Sequence, residues 1–228
     1  RCPSRGGGPP PPSRYSGGGF LECSDWVEQA NIVRLLDSFE HRGHPCLVFE
    51  LLPLSLYDLL KASKFQGFPL PVVKHFARSL LRNLDALRHP ALKVVHCDLK
   101  PENVMLMQRD DLRIKVIDFG SSCGEGRQAF TYIQSRFYRA PEVLLCRDYG
   151  FAIDMWSLGC LLVELHTGEP LFNGKDECDQ MAKICMTLGL PPEHMLTDNG
   201  KRSRVRDMFR RRADPAAPQG GEWELRAA

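Results

Sequence analysis

Residues 96–120 read HCDLKPENVMLMQRDDLRIKVIDFG. The stretch holds two acidic residues, Asp98 and Asp118, each at the end of a short apolar run. Residues 92–95 (LKVV) lead to the first and 114–117 (IKVI) to the second. Between them Asn103 follows Lys100, and 104–106 (VML) form a further apolar run. Apolar runs this short, bounded by Asp/Arg-rich turns, predict buried strands in a hairpin. Such a hairpin aims Asp98, Lys100, Asn103 and Asp118 at one point. Hard oxygens hold Mg²⁺ beside phosphate, and a separate carboxylate orients a hydroxyl. The pattern therefore points to Mg-nucleotide chemistry.

Upstream, 31–39 (NIVRLLDSF) and 45–50 (PCLVFE) predict an antiparallel strand pair turned at 41–44 (HRGH). Residues 55–62 (SLYDLLKA) predict a short helix capped by Ser55. In 70–88, Val72, Val73, Phe76, Leu80, Leu81, Leu84 and Leu87 recur at helical spacing, which predicts an amphipathic helix. His75, beside that stripe, reads as a surface residue and not as a ligand. Downstream, 151–167 (FAIDMWSLGCLLVELHT) is apolar nearly all round and predicts a buried helix. Its length, with Asp154 and Glu164 inside it, argues against a membrane span. Residues 176–189 predict another helix, ended by Gly189, in which Cys178 and Cys185 read as packing residues.

The 228 residues are 43% hydrophobic, enough for a sizeable core, and the net charge of +2 gives no reason to expect nucleic-acid or membrane partners. Nine cysteines without C-x-x-C spacing read as reduced thiols, which places the protein in the cytoplasm or nucleus. Residues 1–19 are almost entirely Gly, Pro, Ser and Arg and read as a disordered tail. Neither Gly triplet in it fits a phosphate-binding loop, and the segment has no apolar core of the kind a secretory leader needs. Residues 201–228, opening with KRSRVRDMFRRR, read as a basic, disordered tail, with a nuclear import signal as the alternative.

Taken together, HCDLKPEN at 96–103, DFG at 118–120 and APE at 140–142 resemble the signature set of protein kinases, with Cys97 where Arg is commoner. The SSC at 121–123 and YIQSRFYR at 132–139 narrow the resemblance to the dual-specificity tyrosine-regulated kinases (DYRK). The resemblance implies an α+β, protein-kinase-like fold, mainly the helical C-lobe with only the last strands of the N-lobe sheet. A partial kinase domain then spans 20–200, with an interlobe hinge near 49–53 and the C-lobe from 54. It implies ATP and Mg²⁺ as cofactors, protein substrates and a monomer. Asp98 would orient the acceptor hydroxyl, Lys100 would steady the γ-phosphate, and Asn103 and Asp118 would bind Mg²⁺. Phe49 would be the gatekeeper, the backbone of Glu50, Leu51 and Leu52 would meet adenine, and Met105 would lie beneath it. Tyr132 holds the position of the family's autophosphorylated tyrosine, where phosphate would pair with Arg136 and Arg139. The position two before it is Phe130. Glu102 and Glu164 would read an arginine upstream of the target residue. Cys97 and Cys123 flank the two acids and read most simply as two independent thiols.

The resemblance also implies parts that the sequence does not supply. A kinase carries a Gly-rich loop, a strand-borne Lys for the phosphates and a Glu that holds this Lys. Here the first lysine is Lys61, beyond the hinge, so Glu22 and Glu28 have no lysine to hold. Arg34 differs in reach and geometry and is not expected to substitute. Glu142 has no clear arginine partner. The expectation is a chain truncated at both ends of the kinase domain: a mis-assembled or shortened kinase, or else a catalytically dead fragment acting as a binding or decoy module.

Overall fold

The structure is a computed structural model that describes residues 30–127, 131–197, 203–212 and 221–226. The expected N-terminal tail, Glu22, Glu28 and Phe130 lie outside the described residues.

The strand pair expected around 31–50 forms a hairpin of β1 (Leu35–His41) and β2 (His44–Phe49), with Phe39 opposite Cys46 and His41 opposite His44. Arg42 and Gly43 make the turn with φ of 50° and 78°. Two successive left-handed residues match the twist of the flanking strands, and glycine adopts that conformation without a Cβ clash. Helix α1 (Leu56–Ala62) starts on a reciprocal cap: Ser55 accepts the Asp58 amide, and the Asp58 carboxylate accepts the Ser55 amide. Helix α2 (Leu70–Arg88) buries Val73, Phe76, Leu80, Leu84 and Leu87, as its apolar spacing requires.

Four short strands follow: β3 (Val94–Val95), β4 (Val104–Leu106), β5 (Ile114–Val116) and β6 (Cys123–Gly124). β4 and β5 form the expected hairpin, but β3 pairs with β6 instead of joining it. Helix α3 (Pro141–Leu144) precedes the long helix α4 (Ala152–Thr167), which packs against α2. Gly168 ends α4 at φ 89°, and a Cβ there would lie 1.8 Å from the Phe65 carbonyl oxygen. Helix α5 (Glu177–Leu188) is capped by Asp176 and stopped at Gly189.

Three cores result among the described residues. Leu56, Phe76, Leu80, Val104, Ile114, Leu158 and Leu161 join α1, α2, α4 and the β4–β5 hairpin. Tyr138, Leu144, Phe172, Met181 and Ile184 form the second around α5. This second core also takes in part of the segment read as a disordered tail. Between α6 (Glu193–Thr197) and a hairpin of β7 (Phe209–Arg211) and β8 (Trp223–Leu225) stands α7 (Val205–Met208). Val205, Met208 and Phe209 are buried, so apolar residues set among the arginines fold 203–212 onto the body. Cys185 is buried as expected, whereas Cys178 is exposed, because it lies on the outer side of α5.

Candidate active site

The loop after β3 is held from behind by α4. The amides of His96 and Cys97 donate to the two carboxylate oxygens of buried Asp154 at 2.7 and 2.9 Å. The His96 ring lies 3.0 Å from the Ile117 carbonyl oxygen and edge-on to Phe119, which couples the loop to the segment after β5. With its backbone fixed at both ends, the loop presents Asp98 in a set position.

Every oxygen of the Asp98 carboxylate is engaged. Oδ1 accepts the Ser135 amide at 3.1 Å and the Ser135 hydroxyl at 2.8 Å. Oδ2 accepts Lys100 Nζ at 2.7 Å and Asn103 Nδ2 at 3.2 Å. Lys100 Nζ also reaches Ser135 Oγ at 3.0 Å, so one hydroxyl stands between the carboxylate and the ammonium. Three of the four residues expected to converge therefore share one network. Asp118 joins it through the backbone, by the Ile117 amide donating to the Asn103 carbonyl at 2.9 Å. Its own side chain is exposed, sits on a left-handed residue (φ 61°) and accepts the Gly120 amide.

Asn103 spends its NH₂ on Asp98, both on the carboxylate and on the carbonyl at 2.8 Å, which leaves the carboxamide oxygen available to a cation. One carboxamide oxygen and one exposed carboxylate suit a hard cation that takes its remaining oxygens from phosphate and water. Among the described residues no group of three or more His, Cys, Asp or Glu is arranged to hold a metal without such help.

Just after the 50–52 segment, residues 54–55 run alongside β4. The Leu106 amide donates to the Leu54 carbonyl at 2.8 Å, and Met105, half-buried, bridges Ser55. Leu52 is buried while Leu51 is fully exposed. The Glu50 carboxylate accepts Lys115 Nζ and the Arg34 amide. Burial raises its pKa, but these two hydrogen bonds outweigh burial and hold it below the usual carboxylate range.

Tyr132 is 72% exposed, and its ring lies under the Arg139 guanidinium at 4.3 Å. Hydrogen bonding and charge from Arg139 lower the phenol below its ordinary pKa. Arg139 also donates to the Ile133 carbonyl and pairs with Glu177 at 2.7 Å. Arg136 turns elsewhere, to the Lys175 carbonyl at 2.7 Å. Glu164 is buried and accepts the Tyr138 hydroxyl at 2.6 Å. Burial pushes its pKa up to about 6 against that hydrogen bond, with the charges of Glu102 and Glu169 adding to the rise. Glu102 itself is exposed. The Cys97 and Cys123 sulfurs stand 3.7 Å apart as free thiols, and burial pushes the Cys97 thiol far above its ordinary pKa.

Two contributors escaped the sequence reading. Ser135 lies inside the quoted YIQSRFYR, but a neutral hydroxyl gives no signal of its own. Lys115 lies inside IKVIDFG, and a lone lysine in a strand reads as a solvated side chain.

The model of the protein kinase domain matches residues 21–209. The chain is 56% identical over 175 residues to the dual specificity tyrosine-phosphorylation-regulated kinase mbk-2 of Caenorhabditis elegans, covering 77% of this chain and 21% of that protein. It is 50% identical over 184 residues to the dual specificity tyrosine-phosphorylation-regulated kinase 3 of Homo sapiens, covering 81% of this chain and 31% of that protein. The chain thus spans about a fifth to a third of the length of these relatives. With the 96–103 loop tied by hydrogen bonds to the segment that carries 118–120 on an α+β scaffold, the chain belongs to the protein kinases, and within them to the dual-specificity tyrosine-regulated family.

Proposed function

We propose that the chain transfers the γ-phosphoryl group of ATP to serine or threonine in protein substrates and phosphorylates its own Tyr132. The observation that carries this reading is the hydroxyl of Ser135, held between Asp98 and Lys100. A substrate hydroxyl placed there meets a carboxylate that orients it and takes its proton late. Lys100 then neutralises charge on the phosphoryl oxygens. Bound Mg²⁺, held by Asn103 and Asp118, would supply further neutralisation of the phosphates. Adenine would lie against the backbone of Glu50–Leu52 and above Met105. Positioning and electrostatics are nearly all that phosphoryl transfer asks of a protein. Phosphate on Tyr132 would bond Arg139 first, since that guanidinium already covers the ring. Glu102 and Glu164 favour substrates with an arginine upstream of the target. The protein acts as a monomer in the cytoplasm or nucleus, a setting that its free thiols support.

A second reading, a binding module without turnover, is favoured by one observation within the given residues: none of residues 1–60 is a lysine that could take the strand-borne phosphate role. Titration with Mg-ATP, and mass spectrometry of Tyr132, on the 228-residue protein expressed alone distinguish the two. The expected result is nucleotide binding with phosphate on Tyr132, the phosphate disappearing in Asp118→Asn. Absence of both overturns the catalytic reading and leaves the module.

A further inference from the structure

The β1–β2 hairpin is attached to the rest of the molecule at its open end. On one side, the Val116 amide donates to the Asn31 carbonyl at 2.7 Å and the Val33 amide to the Val116 carbonyl at 3.0 Å. On the other, Glu50 closes the hairpin against Arg34 twice. Its amide donates to the Arg34 carbonyl at 3.1 Å, and its carboxylate accepts the Arg34 amide at 2.7 Å. The same carboxylate oxygen takes Lys115 Nζ, and the two side chains are only 10% and 20% exposed. Lys115 stands on β5 opposite Met105 on β4. Directly opposed residues share a face, so the ammonium lies on the same side of the floor strands as Met105.

We propose that Lys115 is a positioning residue for nucleotide binding, its ion pair with Glu50 latching the 50–52 segment and the base of the hairpin onto β4–β5. This rests on the reading that adenine lies against 50–52. An ion pair so poorly exposed is screened little by salt, and losing one partner leaves the other charge stranded. The hairpin is also a lever. A strand of its length reaches about 20 Å, so a small rotation at Glu50 becomes a large displacement at the turn. Without the latch the backbone groups of 50–52 lose their fixed position, and a nucleotide must order them at its own expense in affinity.

The test compares wild type with Lys115→Met, Lys115→Arg and Glu50→Gln in the full chain. Amide hydrogen exchange is followed over 49–52, with α2 as an internal reference, and Mg-ADP is titrated calorimetrically. Lys115→Met and Glu50→Gln are expected to speed exchange at 49–52 about tenfold and weaken Mg-ADP about tenfold, with α2 unchanged. Lys115→Arg, which keeps the charge, is expected to recover most of both. Unchanged exchange at 49–52 overturns the latch. Faster exchange with unaltered Mg-ADP affinity overturns the positioning role and leaves a purely structural pair. A wild-type chain that binds no Mg-ADP overturns the nucleotide reading, and the exchange data still decide whether the latch exists.

Discussion

Glu164 is a carboxylate kept where a carboxylate is unfavourable. Burial lifts its pKa from 4.5 to about 6, with the Tyr138 hydroxyl pulling the other way. The folded chain thus binds this proton more tightly than the unfolded chain does. Ionising Glu164 lowers stability, and the loss sets in above its unfolded pKa and is complete once the pH passes its folded one. A rise of this size corresponds to about 2 kcal/mol at neutral pH. Glu164→Gln keeps an acceptor for Tyr138 and removes the charge. It is expected to stabilise the protein by up to about 2 kcal/mol at pH 7.5, with most of that gain gone at pH 4.5, read by urea denaturation. An equal gain at both pH values would trace the effect to packing and contradict the ionisation argument. At this scale the sequence was legible where a charge broke an apolar pattern, as at Glu164 and Asp154. It was silent where neutral chemistry mattered, as at Ser135, whose two bonds to Asp98 depend on a turn some 37 residues away.

Helix α1 shows how local chemistry fixes an element. The Ser55–Asp58 reciprocal cap satisfies amides that no helical carbonyl can reach, and it does so just after the 50–52 segment. Leu56 and Leu60 then enter the first core with no exposed surface. Ser55→Ala is expected to cost about 1 kcal/mol, visible as a lower thermal midpoint, while Ser55→Thr, which keeps a hydroxyl to accept the Asp58 amide and donate to the Asp58 carboxylate, recovers most of it. A full loss in Ser55→Thr would mean that the space around the side chain, not capping, is what the site requires. Helices of this kind were readable because caps and stops are written within a few residues, as at Ser55 and Gly189. Strands β3 to β5 were readable only as apolar runs, and β6 was not readable at all. At two or three residues they carry no periodicity, and the choice of β6 as the partner of β3 is made by tertiary packing. The C-terminal segment was misread for a related reason. Its arginine-rich composition suggested solvent, yet Val205, Met208 and Phe209 are placed so that all three reach the second core.

For the molecule as a whole, the sequence conveyed two facts that the structure joins: the C-lobe motifs at 96–103, 118–120 and 140–142, and a strand pair rich in apolar residues beside them. The first is folded into the three cores. Among the described residues nothing covers the second: Leu35, Leu36, Phe39, Leu47 and Phe49 are each 45–59% exposed, on both faces of the hairpin. Two-stranded ribbons have free edges as well as free faces, and an apolar ribbon with free edges is a template for association. Lysine on such a strand blocks pairing by charge while asking nothing of a core. Leu47→Lys should therefore lower concentration-dependent light scattering of the purified protein. The thermal midpoint should shift by no more than a few degrees, because the replaced side chain is already largely in water. Two outcomes tell against this argument. Unchanged scattering would show that the molecule associates through some other surface. A large fall in the midpoint would show that Leu47 is stabilised by contacts that its exposure does not reveal. The expected pair of results, less association at equal stability, separates what holds the lower body together from what the hairpin leaves open.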